Sequence, residues 1–137
     1  MIIGGHGTHV SGSVAGSSIG EFSHMNGMAP DAKIAFFDLG MTEKSFLKVP
    51  ALTDIFNSAY ETGARVHTNS WGNLGGLYGQ MSYDVDDFTF SHPDFLVLFA
   101  AGNSGSEGSK SIISPGNAKN ALSVGAGQVI SSYIFLI

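Results

Sequence analysis

The chain has 137 residues, 43% of them apolar and 12% charged, with 19 glycines and no cysteine. That length supports one domain with a real core, and a charged share about half the usual one describes a folded, turn-rich chain, not a disordered one. A net charge of −5 without a basic run argues against nucleic acid as a partner. The lack of cysteine removes disulfide and thiol chemistry, and no apolar run approaches a membrane span.

Elements follow in chain order. Small residues from His6 to Gly16 predict a short helix with His6 at its start. Residues 17–32, rich in Ser, Gly, Asn, Pro and Asp, predict a loop. The apolar run Lys33–Leu39 predicts a buried strand, with a loop up to Pro50. Leu52, Ile55, Phe56, Ala59 and Tyr60 form one apolar helical face, with Gly63 placed as its C-terminal cap. Arg65–Ser70 predicts a strand that leads into Trp71 and Gly72, and residues 73–79 a glycine-rich loop. Met81, Val85, Phe88 and His92 mark a second amphipathic helix, stopped by Pro93. Phe95–Ala101 is a continuous apolar strand ending in Gly-Asn-Ser-Gly; a polar loop covers 104–111, and Ala121–Ala126 is a last short strand.

Strands that alternate with helices and are apolar on both faces predict a parallel sheet covered on both sides, a three-layer α/β/α architecture. In such sheets ligands bind at the carboxyl ends of the strands. Chemistry is therefore sought after Leu39, Ser70 and Ala101.

His6 and His9 stand three apart, on one face of a helix. Two histidines are half of a zinc site, and the nearby Glu21 and His24 complete no known ligand spacing. A metal-dependent hydrolase using His6 and His9 is thus the weakest of the functional readings. Gly16-Ser-Ser-Ile-Gly20 fits the G-x-S-x-G pattern, but it follows a helix and enters a loop, the wrong context for a nucleophile elbow.

Five segments in order carry a resemblance: Gly5-His-Gly-Thr-His-Val-Ser-Gly12, Gly27-Met-Ala-Pro-Asp-Ala-Lys33, Asn69-Ser-Trp-Gly72, Ala100-Ala-Gly-Asn-Ser-Gly105 and Ser114–Ala126. Together they resemble the subtilisin-like serine proteases over about residues 4–127, and most of all their alkaline, oxidatively stable bacterial branch. The resemblance implies a subtilisin-like fold and a serine endopeptidase, a hydrolase acting on peptide or protein substrates. It implies that His6 is the general base and Asn103 the side-chain donor to the oxyanion. Ser70, Trp71 and Gly72 match one wall of the primary specificity pocket, Ala101 and Gly102 the facing wall, and Pro115 and Gly116 a loop shaping its floor. His9 matches a structural position, expected to be packed and hydrogen-bonded. The implied preference is a tolerance for sizeable or apolar side chains. No cofactor is identified; the family often binds calcium, with no ligand positions matched here. A secreted or extracytoplasmic location is implied by the resemblance alone.

The triad runs Asp, His, Ser in chain order. Only five residues precede His6, and no Gly-Thr-Ser motif occurs in the 137 residues. The expectation is a partial peptidase domain over 1–127, incomplete at both ends, with an apolar tail over 128–137 outside the family pattern. Such a chain lacks parts of its own catalytic domain and is expected to be inactive alone. The competing reading is a non-catalytic, peptide-binding module.

Overall fold

The computed structural model describes residues 5–41, 46–47 and 49–127. The expected tail over 128–137 lies outside them. The chain divides into two compact units, Met1–Ala64 and Arg65–Ile137.

In the first unit, helix α1 spans His6–Ala15, as its small residues predict. Gly5, with φ +89, supplies the left-handed step that opens it. The small side chains let a second segment come close. Gly27, Met28 and Ala29 donate backbone hydrogen bonds to Gly16, Ser13 and Val14 carbonyls at 2.7, 3.1 and 2.7 Å. A Cβ on Gly27 would lie 2.6 Å from the Gly12 carbonyl oxygen, so no larger residue fits this approach. Within the predicted 17–32 loop, Gly20–Met25 winds into a 3-10 helix.

The buried strand expected over Lys33–Leu39 is not there. These residues are in no ladder, and Ile34, Phe36 and Phe37 are exposed. An apolar run proposes a strand, but only a hydrogen-bonding neighbour makes one, and none of the described residues pairs with it as a strand. A short antiparallel pair instead joins β1 (Gly40–Met41) to β2 (Phe46–Leu47). Helix α2, Leu52–Glu61, buries Leu52, Ile55 and Phe56 from its predicted face. It ends as the Gly63 signal implies: Gly63 takes φ +93, its N–H reaches the Tyr60 carbonyl, and the Ala64 N–H reaches the Ala59 carbonyl.

The second unit is built on a parallel sheet of β3 (Val66–Asn69), β4 (Leu96–Ala100) and β5 (Leu122–Val124), in that order. Helix α3, Gln80–Ser91, connects β3 to β4 and packs on β4. The fold is α/β with a parallel sheet, the class expected. Asn69 pairs with Phe99, and Phe99 with Ser123. One sheet face carries His67, Asn69, Val97, Phe99 and Ser123; Asn69, Val97 and Phe99 are buried there. The opposite face is partly open, with Val66, Leu96, Leu122 and Val124 about half exposed or more.

Helix α3 buries Ser82, Val85 and Phe88. Its inner stripe starts at Ser82, with Met81 half-buried beside it. Phe88 stacks on His92 at 4.1 Å and meets Phe95 edge-on at 5.3 Å, which seats the end of the helix before Pro93. Asp86, on the same helix, holds the approach to β5. Its Oδ1 accepts the Asn120 N–H at 2.7 Å, and its Oδ2 accepts the Tyr78 hydroxyl at 2.7 Å and the Lys119 N–H at 3.3 Å.

Candidate active site

The strand ends of the second unit carry most of the site residues read from the sequence. Because β3 and β4 are parallel and Asn69 lies beside Phe99, the segments Ser70–Gly72 and Ala101–Asn103 leave the same edge of the sheet. A third segment ties them together. The Ile113 N–H donates to the Ala101 carbonyl at 3.0 Å. Ser114 forms an isolated antiparallel bridge with Asn73, donating and accepting at 3.3 and 2.8 Å. Ser114–Pro115 is a cis peptide, and Pro115 is fully buried. The Ala118 N–H closes a turn on the Pro115 carbonyl at 2.9 Å. At Gly116 a Cβ would stand 2.8 Å from the Ala100 carbonyl oxygen, so this turn reaches the end of β4 only with glycine there.

Trp71 lies edge-on to Phe99, ring centres 5.3 Å apart, so its indole is held by the buried face of β4. Ser70 and Asn103 are exposed, while Ala101 and Gly102 are half-buried. Asn suits left-handed turns, yet here that step falls to Gly102, with φ +107, and Asn103 keeps a negative φ. A backbone role in the turn therefore does not account for Asn103. The structure thus brings together Ser70, Trp71, Gly72, Ala101, Gly102, Pro115 and Gly116 with Asn103 beside them.

His6 belongs to the first unit, as the first residue of α1, and is exposed. His9 is exposed as well, and α1 has no buried residue. The exposure of His9 departs from the expectation of a packed position. Among the described residues no group of three His, Asp or Glu side chains converges to hold a metal ion.

Two buried polar groups behind the site escaped the sequence reading. The Asn69 amide nitrogen donates to the Leu98 carbonyl at 3.1 Å and to His67 Nδ1 at 2.9 Å. Since the amide NH₂ only donates, Nδ1 is the accepting nitrogen, and His67 is neutral. Burial lowers its pKa from 6.5 to about 4. On α3, the wholly buried Ser82 hydroxyl donates to Asn117 Oδ1 at 2.6 Å and lies 3.0 Å from Ser114 Oγ. The Asn117 amide in turn donates to the Gly76 carbonyl at 2.8 Å. The only signal for Ser82 was a small polar residue one turn before Val85 on an apolar face.

The sequence profile of the subtilase family, peptidase S8, matches residues 3–132. The chain belongs to the subtilase family. It is 43% identical over 136 residues to the serine protease/ABC transporter B family protein tagD of Dictyostelium discoideum, covering 92% of this chain and 7% of that protein. The tagB protein of the same organism is 42% identical, again over 92% of this chain and 7% of its own length. Subtilisin-like protease 2 of Pseudogymnoascus destructans is 34% identical over 89% of this chain and 28% of that protein. The chain therefore spans less than a third of each of these relatives. Subtilases are serine peptidases, so at family level the chemistry is peptide-bond hydrolysis.

Proposed function

We propose that this subtilase chain carries the general base, the oxyanion donor and the specificity walls of a serine endopeptidase, without its nucleophile. The observation that carries the reading is the joining of the two strand-end segments by Ile113 and Ser114 at the carboxyl edge of a parallel sheet. A peptide laid against these segments hydrogen-bonds to their backbone, as an added strand does. Asn103 is the exposed amide at the end of that edge, suited to donate to a carbonyl oxygen as it becomes an oxyanion. The size of such an effect is known from subtilisin itself, where loss of the oxyanion asparagine lowers turnover by about 10²–10³. His6 is the base that takes a serine proton and returns it to the leaving amine. Residues 101–102 and 70–72 bracket the substrate side chain, with Pro115 and Gly116 beneath.

Neither a Gly-Thr-Ser motif nor an upstream strand ending in aspartate lies within the 137 residues. On this reading the triad's serine and aspartate come from outside these 137 residues, and the isolated chain binds peptide without cleaving it. No helix among the described residues is long and apolar enough to cross a membrane; an extracytoplasmic location is proposed from the family's habit. The test has two readouts on one sample. A fluorophosphonate probe should leave the chain unlabelled, while a short apolar peptide should shift the amide resonances of Trp71, Gly72 and Asn103. Labelling that His6→Ala abolishes would refute the inactive reading; peptide shifts scattered away from these residues would refute the binding edge.

A further inference from the structure

One side chain lies against both glycines of the proposed binding edge, joined at Gly72 by the Ser114 carbonyl oxygen, 2.8 Å from a Cβ built there. A Cβ built on Gly72 would lie 2.6 Å from Ile113 Cδ1 and 2.9 Å from its Cγ1. A Cβ built on Gly102 would lie 2.8 Å from Ile113 Cγ2 and 3.3 Å from the same Cγ1. The branched side chain therefore touches both backbones, one methyl arm to each. Ile113 is only 9% exposed, so it fills the space between the segments instead of lining an open slot.

It is also difficult to move. A β-branched side chain has few χ1 positions. Its own N–H is bonded to the Ala101 carbonyl, and the next residue, Ser114, is bonded to Asn73 in both directions. Behind Ser114 stands the buried Ser82 hydroxyl. Displacing its backbone would break the bonds to both Ala101 and Asn73.

We infer that Ile113 is the specificity-determining residue of this site and restricts it to peptides with a small side chain, glycine, alanine or serine, between Gly72 and Gly102. This rests on the proposed peptide-binding edge, and it departs from the tolerance for sizeable apolar groups that the family resemblance implies. A leucine or phenylalanine needs the volume that the four side-chain carbons of Ile113 occupy, and interiors at crystal-like density do not yield such a volume without displacement.

The test uses the full chain labelled with ¹⁵N and a series of acetyl-Ala-Ala-Ala-Xaa amides with Xaa as Gly, Ala, Leu or Phe. Affinities are read from the Gly72 and Gly102 amides and the Trp71 indole. The wild-type chain should bind the Gly and Ala peptides at least tenfold more tightly than the Leu and Phe peptides. Ile113→Gly should invert that order, and Ile113→Ala, a gentler change that keeps a side chain in the core, should move it the same way by a smaller factor. If the wild-type chain binds the Phe peptide as well as the Ala peptide, or if the folded variants rank the series as the wild type does, Ile113 does not set the size limit, while the binding edge stands. If no peptide moves these resonances in any of the chains, the binding edge itself is wrong, and the size limit falls with it.

Discussion

Acidification should weaken the second unit through His67. His67 lies on the buried sheet face, its ring centre 6.0 Å from that of Phe95, and its Nδ1 accepts from the Asn69 amide. Protonation places an N–H against that NH₂ and a charge inside the layer. The folded pKa is about 4 against an ordinary 6.5, so between these values the unfolded chain takes up a proton that the folded chain refuses. The stability contributed by neutral His67 is thus fully present above pH 6.5, is lost as the pH falls towards 4, and changes no further below that. At ~1.4 kcal/mol per pH unit the whole loss is about 3 kcal/mol, a large part of a small domain's stability. Urea unfolding followed by the emission of Trp71, the single tryptophan, gives the stability at each pH. His67→Leu should be less sensitive to acid over that window, the gap between the two curves closing by about 3 kcal/mol. Parallel curves for the two proteins between pH 6.5 and 4, or a His67 imidazole that titrates near 6.5 by NMR, would refute the reasoning.

Two further substitutions probe the polar ties around the site. Ser82→Ala leaves Asn117 Oδ1 and the Ser114 hydroxyl without their buried partner and should lower unfolding stability by about 1–3 kcal/mol; hydrogen exchange at the Ser114 and Asn73 amides should accelerate while Val97 keeps its protection. Burial pushes the Asp86 carboxyl up, but the Tyr78 hydroxyl and the Asn120 and Lys119 N–H groups outweigh it and hold its pKa below 3.8. Asp86→Ala should therefore destabilise by about 1–2 kcal/mol at neutral pH, with the difference from wild type shrinking as the pH falls through that depressed pKa, beneath the His67 window.

The sequence made the three α-helices and the three parallel strands legible because each has a local cause. The Gly63 cap, the α2 apolar face and the Pro93 stop all act within a turn or two of the residues they organise. Lys33–Leu39 shows the opposite case: its apolar run is a demand for partners, and a strand exists only where another chain segment meets it. Motif residues Ser70, Gly72, Gly102 and Gly116 could be placed from the resemblance alone. What held them could not, since Ser82, Asn117 and Asn69 tie into their surroundings through side-chain hydrogen bonds, most of them across long sequence separations. Ile113 stayed hidden for the same reason. In the chain it is one of two adjacent isoleucines after a polar loop; only the folding of 113–114 against two glycines gives it a role.

The geometry of the proposed edge is decided one layer below it. Ser70 and Asn103 are exposed and contribute little to packing, so their own packing does not fix how far apart the two segments stand. The register does: His67 opposite Val97 and Asn69 opposite Phe99 put the buried residues of both strands on the α3 side. A slip of one residue would turn Val97 and Phe99 towards the open face and Leu96 and Leu98 into the core, and would shift one wall along the other by about 3.3 Å. The Asn69 amide, bonded across to the Leu98 carbonyl, resists that slip at the last rung before the site. The backbone of the proposed edge is thereby positioned by buried groups beneath it, so Ser70, Gly72, Ala101 and Gly102 can be small because they are not required to hold themselves in place.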